Sequence, residues 1–292
     1  MINNHCYTFE LNKYKNGILD SFVDITYIIT LTNSNRIINI NKQLNRIIPT
    51  KNIYIVYNKG YKNCYKVLPE NIPPYDLSDA YFNVIDHSIK NNFNNILILE
   101  DDFIFSENIK NNKIINEIDL FFYKNNNKIF YYNLGPFPYF FYPNLNIFNN
   151  TFSGIFCINA QAIIYNKKIQ YEIIKYKNKE SIKHWDYFLT TTYKNYFYRY
   201  PLCYQTFPIT NNQKYWLRNE NDKDNYIYKI FDYILQKIFN TLYLDKTPLP
   251  GYIIVYTICF IYTYTFFILI ILLLILFSIR IFNISKKKIK IY

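Results

Sequence analysis

The chain has 292 residues and a formal net charge of +12, and half of its residues are hydrophobic. That length suits one large or two small domains, and core-forming residues are plentiful. Five of the positive charges sit at Arg280, Lys286, Lys287, Lys288 and Lys290, and the rest are spread without a dense run, which speaks against a nucleic-acid partner. The five cysteines, Cys6, Cys64, Cys157, Cys203 and Cys259, are odd in number and contain no CxxC pair. Neither a zinc site nor a disulfide framework is indicated, and buried free thiols are expected.

Residues 1–23 carry no basic start followed by a long apolar centre, so no secretory signal is visible. They read as an irregular lead-in or an edge hairpin. Residues 24–31 form the first expected strand, and Thr32-Asn33-Ser34-Asn35 marks a turn or helix N-cap. Ile37, Ile40, Leu44, Ile47 and Ile48 then fall at helical spacing until Pro49. A second strand is expected over 52–57, a loop over 59–74, and a helix over 76–90 with Leu77, Tyr81, Val84, Ile85 and Ile89 on its apolar face. His87 on that helix is expected to be structural. The turn 91–95 leads into a third strand. This β-α-β-α-β order predicts a parallel sheet covered by helices.

The third strand carries the most informative stretch. Ile96-Leu97-Ile98-Leu99 runs straight into Glu100-Asp101-Asp102, and Phe103-Ile104-Phe105 follows at once. Four aliphatic residues in a row read as a strand buried on both faces. Carboxylates are rarely buried without a partner, because desolvating their charge is costly. A solvated turn or helix cap is the plain alternative, but no Gly, Pro or Asn follows the trio. In open α/β sheets ligands bind at the carboxyl ends of strands. A divalent cation, which prefers hard oxygen ligands, is the simplest partner for three acids there.

Beyond the trio the pattern predicts a helix over 107–123, a strand over 128–134 and an aromatic loop over 139–148. A strand over 154–164 follows that can turn helical from 160. Helices are expected over 167–177 and 180–193, then strand and loop over 196–208, a polar loop over 211–225 and a helix over 226–242. The helix over 180–193 carries His184-Trp185-Asp186. No internal repeat is evident.

Residues 253–279 contain no charge, and Arg280 ends the run. The stretch exceeds the ~20 residues needed to cross a ~30 Å hydrocarbon core. Tyr252, Tyr256, Tyr262 and Tyr264 cluster towards its start, as an interfacial aromatic belt would. The expectation is a single-pass protein of an endomembrane: a lead-in over 1–23, a large domain over 24–245, a linker and transmembrane helix over 246–283, and a basic tail over 284–292. The side of the membrane is undecided. The basic tail favours the cytosol, which puts the domain on the far side, whereas no signal peptide is visible to carry it there. The sequon Asn149-Asn150-Thr151 and the lysines near the end are common by chance in a chain rich in Asn and Lys.

The order of elements and the phrase Ile98-Leu99-Glu100-Asp101-Asp102 resemble glycosyltransferase family 25, which includes lipooligosaccharide glycosyltransferases, collagen galactosyltransferases and relatives in large DNA viruses. Ile28-Ile29-Thr30-Leu31 with Arg36, the helix starting near Ser78, and Pro201-Leu202-Cys203-Tyr204-Gln205-Thr206 add to the likeness, which spans about 24–216. The first strand departs from the family pattern in ending Thr-Leu-Thr-Asn-Ser-Asn-Arg. The resemblance implies a GT-A-like α/β fold, a mixed and mainly parallel sheet flanked by helices. It implies transfer of a sugar, with inversion, from a nucleotide-sugar donor, a UDP-sugar in the simplest case, to a hydroxyl of a glycan or protein acceptor. Mn²⁺ or Mg²⁺ held by Glu100 and Asp102 would bridge the donor phosphates. Asp101 and Arg36 are the expected donor-binding residues and Asp186 the expected base, with His184 nearby.

Two other functions fit the same residues. One is a metal-dependent phosphoryl-transfer or hydrolase domain, for which Asp24, Asp119 and Asp186 are poorly placed as further acids. The other is a catalytically degenerate GT-A-like module, membrane-bound and used for binding or structure. For Tyr139, Phe140, Phe141 and Tyr142, packing competes with stacking on a sugar or base.

Overall fold

A computed structural model describes residues 6–143, 150–177, 182–205 and 250–289. The loop over 211–225, the helix over 226–242, Asn149 of the sequon and the last three residues lie outside these segments.

The first half alternates strand and helix, as the apolar periodicities predict. β1 (Tyr7–Lys13), β2 (Ile25–Leu31), α1 (Ile37–Arg46), β3 (Asn52–Asn58), α2 (Pro73–Lys90) and β4 (Ile96–Glu100) follow one another. A short β5 (Phe103–Phe105) and a 3₁₀ turn (Glu107–Lys110) lead to α3 (Asn112–Asn125). The single helix expected over 107–123 is therefore broken. Ser106 caps the 3₁₀ turn and Asn111 caps α3, each accepting a backbone N–H two residues on.

The second half is richer in strand than expected: β6 (Tyr131–Asn133), β7 (Phe137–Tyr142), β8 (Thr151–Ile158) and β9 (Ala162–Tyr165). Then come α4 (Lys167–Ile174), α5 (Trp185–Thr192), β10 (Asn195–Tyr198), β11 (Cys203–Gln205) and the long α6 (Pro250–Ile289). The aromatic run over 139–142 is strand, not loop, because residues of high β propensity pair along β8. Residues 154–164 make two strands, with Asn159 at φ +88° ending the first. Asn tolerates the left-handed conformation better than most residues.

The large sheet has the order β1-β3-β2-β4-β9-β6-β10-β8-β7. It is parallel through β3-β2-β4, where crossover helices join the strands, and antiparallel pairings dominate beyond β4. Two apolar layers cover it. Leu97, Leu99, Ile28 and Ile55 meet α1 and α3 on one face, while Ile96, Ile98, Tyr27 and Val56 meet α2, α4 and α5 on the other. Successive strand residues point to opposite faces, so the aliphatic run of β4 feeds both layers at once.

Residues 7–13, expected as irregular lead-in or hairpin, form an edge strand antiparallel to β3, with Tyr7 opposite Asn58. That pairing corrects the reading of the cysteines. It sets Cys6 beside the chain leaving β3, and Cys6 and Cys64 form a disulfide with a Cα–Cα distance of 5.6 Å. Cys157, Cys203 and Cys259 are free and buried, as expected. The same loop is held by Lys66, whose buried ammonium donates to Asp76 (2.5 Å), to Asn58 (2.7 Å) and to the Tyr7 hydroxyl (2.5 Å).

Residues 256–280 of α6 are long and apolar enough to cross a membrane, and little of that stretch is buried.

Candidate active site

β2 and β4 run side by side in parallel, with Ile29 opposite Glu100. The acidic trio therefore leaves the sheet beside the end of β2 and the turn that starts α1. On the other flank β9 is antiparallel, so its start lies at the same end, and the Glu100 N–H donates to Gln161 O at 2.9 Å. In open α/β sheets this end, where the strand order switches direction, is where ligands bind.

Asp101 faces β2. Its Oδ2 accepts from Thr30 Oγ1 at 2.8 Å and from Ser34 Oγ at 3.4 Å, and its Oδ1 lies 2.6 Å from Arg36 Nη1. Asn39, on the first turns of α1, donates to the backbone carbonyls of Asp101 (3.2 Å) and Phe103 (3.1 Å), which fixes the turn of the trio. Asp102 is buried, and its Oδ2 accepts from Gln205 Nε2 at 3.0 Å and lies 3.8 Å from Arg36 Nη1. Gln205 arrives because β11 pairs with β5, setting Gln205 opposite Phe103.

Glu100 turns the other way. Its Oε1 accepts from the Tyr81 hydroxyl at 2.8 Å, and that hydroxyl lies 3.0 Å from Ala160 O. The Tyr81 ring stacks on Trp185 with centroids 4.6 Å apart. Asp186 is the next residue, in the first turn of α5, with Oδ2 3.5 Å from the Asn159 N–H and Oδ1 accepting from Tyr187 N at 2.9 Å.

The electrostatics follow from this crowding. Desolvation first, then the charge of Asp102, pushes the Glu100 carboxyl up to about 8; Asp101 and Asp186 add to the rise and the Tyr81 hydroxyl opposes it. Desolvation and then Asp101 raise Asp102 to about 7, against the lowering by Arg36 and Gln205. One guanidinium faces three acids, so the cluster carries excess negative charge whenever all three ionise. A divalent cation would relieve that excess. Among the described residues no three His, Cys, Asp or Glu side chains are grouped to hold a metal ion.

Glu100, Asp101, Asp102 and Arg36 stand together, and Asp186 lies within electrostatic reach of Glu100. His184 precedes α5 without capping it through its side chain, and burial lowers its pKa. His87 stacks on Phe9 at 4.3 Å, with Nδ1 2.9 Å from the Tyr27 hydroxyl, away from the acids. Phe141 packs against Phe152, Phe197 and Phe260.

Residue-by-residue reading missed Tyr81, Thr30, Ser34 and Asn39 as partners of the acids, and assigned Gln205 no contact. Tyr81 lies on the expected apolar face of its helix and Gln205 in the run 201–206, but nothing local marks either as a partner.

The sequence matches no protein-family model. It matches no curated protein either. Among solved structures the fold is similar to the crystal structure of a glycosyltransferase involved in the glycosylation of the major capsid of PBCV-1. The TM-score is 0.36 at 12% identity, over 65% of this chain and 96% of that one. A likeness this shallow carries no argument about the site.

Proposed function

We propose that the chain is a membrane-anchored glycosyltransferase that moves a sugar from a nucleotide-sugar donor to an acceptor hydroxyl. The supporting observation is the acidic trio at the carboxyl end of β4, beside the end of β2, with Arg36 paired to Asp101 and Asp186 within electrostatic reach of Glu100. In this reading Glu100 and Asp102 hold Mn²⁺ or Mg²⁺, which when bound would offset the charge growing on the departing diphosphate. Asp101 and Arg36 orient the donor. Asp186 takes the proton from the acceptor hydroxyl as the anomeric carbon inverts. The acceptor is a glycan or a hydroxylated protein.

The domain is proposed to lie on the oxidising side of an endomembrane. The Cys6–Cys64 disulfide favours such a compartment, and Arg280 with the lysines beyond it favours the cytosolic side for the far end of α6.

The test is thermal unfolding of the full chain in detergent with UDP, with and without Mn²⁺. The reading expects a stabilisation by UDP that needs Mn²⁺ and is lost in Asp102→Asn, because a ligand binding only the native state raises its stability. Hydrolysis of a UDP-sugar without acceptor is the accompanying activity readout. No shift with any nucleoside diphosphate would favour the second reading, a catalytically degenerate binding module. The observation on that side is the ion pair by which Arg36 already engages Asp101.

A further inference from the structure

We infer that the β7–β8 edge of the large sheet rests in the headgroup layer of a lipid bilayer, so that the domain is docked on the membrane instead of hanging from it. This rests on the reading that α6 crosses the membrane.

The argument starts from where α6 touches the domain. The Tyr256 hydroxyl donates to Tyr198 O at 2.7 Å. Phe260 packs on Phe141 and Phe152 with centroids 4.5 and 5.3 Å away. Thr263 Oγ1 donates to Tyr139 O at 3.3 Å, and Phe140 meets Tyr262 and Phe266 at 5.4 and 5.9 Å. Contact thus runs from Tyr256 to Phe266, roughly 15 Å of helix at ~1.5 Å per residue. The stretch from Phe266 to Arg280 covers only about 21 Å by the same rise, short of a ~30 Å hydrocarbon core. With the docked turns kept out of the hydrocarbon, Arg280 snorkels within the far leaflet and the lysines from Lys286 onward meet the far headgroups. No spacer then separates the docked turns from the lipid-facing run, where Leu269, Leu272, Leu274 and Leu276 are exposed.

The edge itself has the chemistry of that layer. β7 reads Phe-Pro-Tyr-Phe-Phe-Tyr, and Tyr142 and Ile155 of the β7–β8 pair are 58% and 42% exposed. Tyrosine rings favour the headgroup level. An edge strand has backbone groups that hydrocarbon cannot satisfy, so the headgroup layer is also as deep as it can go. The β7–β8 pair runs up to the site: Phe137 lies opposite Ile158, and the next residue, Asn159, turns its N–H toward Asp186 Oδ2 at 3.5 Å. A bilayer at β7 therefore lies close to the proposed base.

The experiment uses the full chain in phosphatidylcholine vesicles, with Tyr142→Trp, Ile155→Trp and, on the opposite sheet edge, Leu11→Trp. The nine-stranded order puts β1 and β7 about 38 Å apart, at ~4.8 Å per strand. Brominated lipids should quench the added emission at 142 and 155 several-fold more than that at 11. Equal quenching at all three positions, with the protein still resisting alkaline carbonate extraction, overturns the docking and leaves the anchor standing. Release by carbonate overturns the anchor and the docking with it.

Discussion

Arg36 places one guanidinium nitrogen 2.6 Å from Asp101 Oδ1 and 3.8 Å from Asp102 Oδ2. A single cation from the turn after β2 thus tethers two of the three acids that end β4. Arg36 is about a third exposed and Asp101 largely covered, so the pair is only partly screened by solvent. Arg36→Ala should lower stability by about 2 kcal/mol, most of it from leaving Asp101 short of a charged partner. Urea unfolding of the two proteins measures this, and a change under about 0.5 kcal/mol, typical of a free surface position, would contradict the assignment.

Stability should fall as pH rises from about 4 to 8. A carboxyl whose pKa is higher in the native chain than in the unfolded one keeps its proton natively where the unfolded chain has lost it. The native state then binds more protons, and the free energy of unfolding declines with pH. Glu100 at about 8 and Asp102 at about 7 set the upper end of that window. Melting temperatures across the window should decline in the metal-free protein, and Glu100→Gln should flatten the decline.

Tyr81→Phe removes one hydroxyl and keeps the stack on Trp185. It deprives Glu100 of the hydrogen bond that opposes its raised pKa, so the window above should extend to higher pH. The expected loss is about 1–2 kcal/mol in thermal or urea unfolding.

Gly135 is wedged against β11. A Cβ built there would sit 1.8 Å from Cys203 O and 2.8 Å from Gln161 Nε2. Backbone cannot yield as a side-chain tip can, so Gly135→Ala should cost about 3 kcal/mol or more. Because β11 carries Gln205, the UDP-dependent thermal shift should weaken in the same variant.

The Cys6–Cys64 bridge closes a loop of 58 residues in sequence separation. Cys64→Ser should destabilise the domain by about 2–4 kcal/mol under oxidising conditions and by nothing once wild type is reduced. Denaturation with and without reductant makes the comparison.

The aliphatic run of β4, the helical faces of α1 and α2 and the apolar span within α6 were all legible, since each is written in a local period of side chains. The acids at 100–102 stood out in the sequence because charge following a doubly buried strand contradicts burial. The strand β7 was not, since a dense aromatic run with Pro136 and Pro138 gives loop and strand signals together, and pairing with β8 decides between them. The strand β1 was missed for a like reason: its seven residues become a strand only through β3.

Local patterning determined that this chain builds an α/β sheet, ends its middle strand in three acids and carries a helix of membrane-spanning length. Tertiary structure alone decided what those acids touch. Gln205 reaches Asp102 across 103 residues, Thr30 reaches Asp101 across 71, and Cys6 meets Cys64 across 58. Contacts at such separations leave no periodic trace, because they come from the order in which strands enter the sheet and not from any repeat along the chain.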